Sequence, residues 1–335
     1  MFMYKYMLYS MLILSSLISI SSSSWLTAWM GLEMNLLSII PLMKSNKYFS
    51  SETMTKYFMI QAISSMILLF SLITMVNLKD FNLINNFLTP MSFLSTSALL
   101  LKMGASPFHF WLPEVVSGLN WKNTYIILTW QKLAPMILLM SIKFNLMYMS
   151  SIIILCSMTG SILMLNQICL KKLLSYSSIN HMAWMFSSML NSYSNWLMYF
   201  IIYCMMNLII MYFLNKFNIY HIVQLTKMFS ENKNLKILFL INFMSLGGLP
   251  PFLGFLPKWI TVNQLINNKF YFITLMLILF SLLTLYIYLR LSFSSWTLLT
   301  SEIFISYSPS MNSMITMMFI SLLSLLLYPM IFLIN

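Results

Sequence analysis

A chain of 335 residues of which 60% are hydrophobic and only 7% charged, with a mean hydropathy of +0.85, cannot be a soluble globule. Its net charge of +12 is spread too thinly through apolar sequence for a nucleic-acid surface and reads instead as a membrane-topology signal with a lipid-facing basic rim. No polar block is long enough for an extramembrane domain, so residues 1–335 form a single membrane domain.

Runs of about 20 apolar residues separated by charged or Asn/Ser/Pro-rich breaks predict an all-α polytopic membrane protein with about eleven transmembrane helices. Lipid offers amides no partners, which favours helices, and the alternation of a barrel is absent. The first, 5–22, begins like a signal peptide, but no small-residue cleavage site precedes Trp25, so it is read as a retained helix. The second, 24–43, holds Glu33 in Trp29-Met-Gly-Leu-Glu-Met-Asn, and 54–77 follows. The fourth, 88–118, carries Lys102, a Gly104-Ala-Ser-Pro interruption and Glu114; the fifth, 122–142, carries Lys132. Then come 147–168, 174–191 with His181, 195–215, 236–266 with Lys258, 270–292 and 312–334. Cys156, Cys169 and Cys204 show no C-x-x-C spacing and no histidine cluster, so they read as small buried hydrophobes and no metal is expected. The 34 methionines and the lone arginine, Arg290, fit the codon usage of an A/T-rich animal mitochondrial genome better than a Met-lined binding groove.

Lys and Arg divide unequally between the two faces. Lys5, Lys44, Lys47, Lys56, Lys122, Lys171, Lys172, Lys216, Lys227, Lys233, Lys236 and Arg290 fall on the N-terminal side, twelve against the three of Lys79, Lys143 and Lys269. Lys102, Lys132 and Lys258 are left for the membrane interior.

Gly104-Ala-Ser-Pro-Phe-His-Phe-Trp-Leu-Pro-Glu114 lies over Gly248-Leu-Pro-Pro-Phe-Leu-Gly-Phe-Leu-Pro-Lys258 at constant offset. The prolines, Pro107 and Pro113 against Pro250, Pro251 and Pro257, are expected to open both helices, which is tolerated at membrane depth only beside a polar path. Five spans before and five after place the broken helix fourth in each set, predicting two inverted repeats over 5–142 and 147–292, with 312–334 an additional C-terminal helix.

Glu33, Lys102, Lys132 and Lys258 each cost about 2.5–3.5 kcal/mol or more at bilayer depth, so they are candidate proton-transfer residues. Glu33 and Lys102 are expected to form a pair whose protonation depends on their separation. Lys132 is too central to snorkel, whereas for Lys258 snorkelling competes with a buried relay. His181 is either a further relay or a helix-packing histidine. Glu114 either closes the path on the basic side or marks a solvated helix end.

Five segments between residues 29 and 259, namely Trp29-Met-Gly-Leu-Glu-Met-Asn, the stretch Leu101 to Glu114, Thr129-Trp-Gln-Lys-Leu-Ala-Pro, Lys172 to Trp184 and Leu246 to Trp259, together resemble the antiporter-like membrane subunits of mitochondrial respiratory complex I. Leu165-Asn-Gln-Ile-Cys is a mild departure. The resemblance implies two inverted five-helix units, Glu33 and Lys102 as a coupling pair, Lys132 as central relay and Lys258 as the lysine of the second unit. It further implies the mitochondrial inner membrane, with the basic face and N-terminus in the matrix, and proton translocation coupled to electron transfer from NADH to ubiquinone. No redox cofactor is expected on this chain: NADH, FMN, iron-sulfur clusters and ubiquinone would belong to other subunits. Partners would be other membrane-arm and accessory subunits, with phospholipid, cardiolipin above all. An independent cation/proton antiporter and a structural assembly subunit are the alternatives; an antiporter would be stable alone.

Overall fold

The computed structural model describes residues 2–44, 49–80, 84–142, 145–225, 233–250 and 252–297, with the backbone alone at 2, 76–80, 84–89, 233–238 and 294–297. The expected helix 312–334, the C-terminal Asn335, Lys47, Lys143, Lys227 and Pro251, and the side chains of Lys79, Lys233 and Lys236, lie outside the described residues.

The described elements are α1 (Phe2–Ser21), α2 (Trp25–Met43), α3 (Phe49–Asp80), α4 (Ile84–Met103), α5 (Trp111–Gly118), α6 (Trp121–Leu128), α7 (Trp130–Ser141), α8 (Leu146–Met164), α9 (Leu170–Met189), α10 (Tyr193–Lys216), α11 (Lys233–Gly247), α12 (Phe255–Asn267) and α13 (Tyr271–Thr297). Six of them, α1, α2, α3, α8, α10 and α13, are long and apolar enough to cross a membrane. Their outer faces carry large apolar side chains, Met66 and Leu282 among them, that are more than half exposed, as a lipid-facing surface requires. The serines of these helices donate back to carbonyls one turn earlier, as Ser15 to Leu12 at 2.9 Å, Ser64 to Gln61 at 2.7 Å and Ser71 to Leu68 at 2.7 Å. That bond satisfies a hydroxyl without water, which is how so many serines fit an apolar helix.

Residues Met1–Ile152 and Ile153–Asn335 form two compact units. In the first, α2 packs between α1 and α3, α3 also meets α4 and α5, and α7 meets α1, α4 and α6. In the second, α10 packs against α9, α11 and α12, and α13 against the same three.

One expected element differs. The 122–142 span is two helices, because Thr129 leaves the regular spiral at φ −118°, ψ −73°. Its hydroxyl donates to the carbonyl of Tyr125 at 2.6 Å, a back-bond that bends helices. Six residues on, Pro135 cannot donate to the carbonyl of Gln131. Sequence periodicity carries no signal for a bend that preserves apolar faces on both sides.

Candidate functional site

Two helix interruptions organise the polar interior. α4 and α11 both end on a glycine in the left-handed region, Gly104 at φ 72° and Gly248 at φ 81°. At the first, Gly104 N–H donates to Leu101 at 3.2 Å and Ala105 N–H to Leu100 at 3.0 Å; at the second, Gly248 N–H donates to Ser245 at 3.0 Å and Leu249 N–H to Met244 at 3.4 Å. These are the two bonds of a Schellman cap, which needs the positive φ that glycine adopts without strain. The chain then resumes as α5 at Trp111 and α12 at Phe255. The agent of interruption is thus the glycine rather than proline: α4 has stopped before Pro107 is reached. Pro113 and Pro257 stand in the first turn of the resumed helices, where a missing N–H costs nothing.

A helix stopped inside the protein leaves carbonyls to be satisfied. At the end of α4, Trp111 Nε1 donates to Leu101 at 3.1 Å and Gln61 Nε2 to Lys102 at 3.0 Å. At the end of α11 the donor is an ammonium: Lys258 Nζ reaches back from α12 to the carbonyl of Gly247 at 2.9 Å and lies 5.8 Å from the ring centre of Trp184. Lys132, Lys102 and Lys258 keep 1%, 6% and 7% of their surface exposed, so none of the three snorkels out of its unit.

Glu33 is half-buried on α2, and its Oε1 has no hydrogen-bond partner among the described residues. Among the described residues no ion pair within 4.0 Å joins it to Lys102. What stands beside Lys102 is an amide pair. Asn35 Nδ2 donates to Gln131 Oε1 at 3.0 Å and Gln131 Nε2 to Asn35 Oδ1 at 2.9 Å, with Tyr57 OH at 3.5 Å from Gln131 Oε1. These groups and Gln61 line a cavity of about 10 Å³ with Lys102, at the threshold for holding one water.

His181, buried on α9, shares a 2.9 Å hydrogen bond with Tyr199 OH and packs against the ring of Tyr203 at 5.1 Å. Glu114 sits apart from the lysines. It pairs with Lys56 at 3.0 Å, which also holds Glu52 at 2.8 Å, and the side chains of this triad are 42–56% exposed. That is a solvated helix end.

Asn35, Tyr57, Gln61 and Gln131 were not singled out by sequence. Their signal was present, since an amide inside an apolar span is as much an exception as a charge, and Gln131 adjoins Lys132.

The family described as NADH:quinone oxidoreductase/Mrp antiporter, TM, matches residues 22–284. The chain is 47% identical over 294 residues to NADH-ubiquinone oxidoreductase chain 2 of Anopheles gambiae, covering 86% of this chain and 84% of that one. It is 43% identical over 336 residues to the Aedes aegypti chain 2, covering 97% and 96%. Among solved structures, a chain of respiratory complex I from Thermus thermophilus superposes with a TM-score of 0.83 at 21% identity, over 97% of this chain and 78% of that one. A chain of the Mrp complex from Dietzia sp. DQ12-45-1b gives 0.72 at 14% identity, over 90% and 62%. At these identities the two structures speak to the fold.

Proposed function

The chain belongs to the NADH:quinone oxidoreductase/Mrp antiporter transmembrane family, and within it to the chain 2 subunits of NADH-ubiquinone oxidoreductase; on that premise we propose that it is a core membrane subunit of respiratory complex I, translocating protons as NADH reduces ubiquinone. The observation that carries this reading is the burial of Lys102, Lys132 and Lys258 inside apolar helices, where a scaffold would more cheaply hold leucine. Glu33, Lys102 and Lys132 are the proton-transfer residues of the first unit. Lys258 is that of the second unit, with His181 a further relay, while Glu114, paired with Lys56, is read as a solvated helix end of the first unit. NADH, FMN, the iron-sulfur clusters and ubiquinone are handled by other subunits, and the neighbours of this chain are membrane-arm and accessory subunits together with phospholipid, cardiolipin included.

The same reading takes the chain as eleven spans in the mitochondrial inner membrane. Two inverted five-helix repeats cover 5–142 and 147–292, and a further helix covers 312–334. The shared cap geometry at Gly104 and Gly248 supports the repeat. The twelve-against-three division of Lys and Arg supports an N-terminus in the matrix and Asn335 in the intermembrane space.

The test is Glu33→Gln and Lys132→Met in the assembled complex. NADH-driven quinone reduction and proton uptake into sealed vesicles are measured beside NADH oxidation by an artificial acceptor that bypasses the membrane arm. Quinone reduction and pumping are expected to fall together while the bypass reaction holds, because a pump that cannot reset stalls its driving reaction. Normal assembly with full pumping in both variants would return the chain to the scaffold reading.

A further inference from the structure

We propose that the Asn35–Gln131 amide pair is a positioning clasp for Lys102, holding a water-sized polar cavity against the lysine and fixing the helix that carries Glu33 against the helix that carries Lys132. The inference rests on the proton-transfer reading of these residues and adds two side chains to it.

The geometry is that of a closed pair. Each amide gives one N–H to the other and takes one in return, at 2.9 and 3.0 Å, and the planar side chains of α2 and α7 are thereby locked in orientation as well as distance. An amide pair spent only on joining helices would lie against apolar neighbours. This one forms a wall of the cavity that Lys102 enters, with Tyr57 and Gln61 as the other polar lining. Gln61 Nε2 is committed to the carbonyl of Lys102, so it anchors the end of α4. Gln131 Oε1 and the Tyr57 hydroxyl face the same space.

Leu32, Leu36 and Pro135 complete the lining. The cavity therefore pairs one ammonium with neutral acceptors fixed in place and leaves room for one water. A water there would accept a hydrogen bond from the ammonium and donate to the Tyr57 hydroxyl, since Gln131 Oε1 already accepts from Asn35 and Tyr57. Neutral acceptors of this kind hold the lysine without binding its proton irreversibly, as a carboxylate in direct contact would.

Because α2 carries Glu33 two residues before Asn35, and α7 carries Lys132 one residue after Gln131, the clasp also fixes the spacing of both charged helices about Lys102.

The experiment compares Asn35→Leu, Gln131→Leu, the double leucine variant, the exchanged pair Asn35→Gln with Gln131→Asn, and Lys102→Met, all in the assembled membrane-embedded complex. Assembly, artificial-acceptor oxidation, quinone reduction and proton uptake are read for each. Removing both amides orphans neither of them and forfeits only the long 3.5 Å contact from the Tyr57 hydroxyl, so the double leucine variant should assemble while its quinone reduction and pumping stay at least threefold down. The exchanged pair keeps the summed side-chain length and should return both activities to within twofold of the parent.

Full activity in the double leucine variant overturns the clasp, because the pair would then be structural glue. An exchanged pair that assembles but stays more than threefold down overturns it as well, and this arm decides if the leucine variants do not assemble. Lys102→Met separates the two levels. If it pumps normally, the proton-transfer reading falls and takes the clasp with it; if it is inactive while double leucine is active, the clasp alone falls.

Discussion

Replacing Gly248 by alanine should cost the chain its Lys258 seat, and the size of the effect follows from two contacts. A Cβ at position 248 would come within 2.9 Å of Lys258 Cδ and 3.0 Å of its Nζ, at a backbone φ of 81°. The conformation alone costs an L-residue about 1–2 kcal/mol. The lysine is flexible, so it relieves the overlap by leaving, and the charge-assisted bond from Nζ to Gly247 is lost. Bonds of that class are worth about 1.5–3 kcal/mol, which corresponds to a tenfold or greater fall in occupancy of the seat. Gly247→Ala is the internal control: its Cβ would meet Tyr288 Cδ2 at an ordinary 3.4 Å, and the carbonyl that holds Lys258 remains. In the assembled complex, Gly248→Ala should lower NADH-driven quinone reduction and proton uptake at least tenfold while artificial-acceptor oxidation persists, and Gly247→Ala should stay within twofold of the parent. A Gly248→Ala complex that assembles and pumps normally would show that the position of Lys258 at the end of α11 has no functional weight.

Tyr199→Phe removes the hydroxyl that bonds His181 Nδ1 at a stability cost of about 0.5–1.5 kcal/mol; if His181 is a relay, proton uptake falls further than thermal stability does, and unchanged pumping leaves it a packing histidine. Lys56→Met breaks only the solvated triad with Glu52 and Glu114, and exposed ion pairs contribute little, so turnover within twofold is expected, and a large loss of pumping would move Glu114 into the proton path. With the N-terminus in the matrix, residues 227–236 should resist protease added to mitoplasts and be cut in inside-out vesicles, and the reverse pattern inverts the topology.

Helices and buried lysines were legible in the sequence because each is a departure from an apolar background with a known length scale. The limits of α1, α2 and α10 fall within a few residues of their apolar runs, since lipid thickness sets both. The interruption after Lys102 was legible through its glycine and prolines, but assigning the break to proline was a misreading. Proline follows glycine within three residues in both motifs, and only φ distinguishes the residue that stops the helix from the one that starts the next. The bend at Thr129 had no signal, because a hydroxyl back-bond depends on a rotamer. The clasp had a weaker one. Asn35 and Gln131 are 96 positions apart, and nothing local says that two amides in different helices meet.

The two lysines at the breaks show why position in the fold outweighs position in the motif. Lys102 precedes Gly104, whereas Lys258 follows Gly248 by ten residues and aligns with Glu114. The motifs therefore place their charges at different points, yet both lysines come to the C-terminal end of the interrupted helix, Lys102 in the last turn of α4 and Lys258 by reaching back to the last carbonyl of α11. A helix end of that polarity carries partial negative charge and unpaired carbonyls. In a medium without water or counter-ions it is among the few structures that stabilise an ammonium without a carboxylate touching it. A full ion pair would hold the proton too tightly to pass on, and an unsupported lysine would not keep it at all. Stopping a helix on glycine inside the protein thus gives Lys258 a backbone carbonyl to hold in place of a carboxylate.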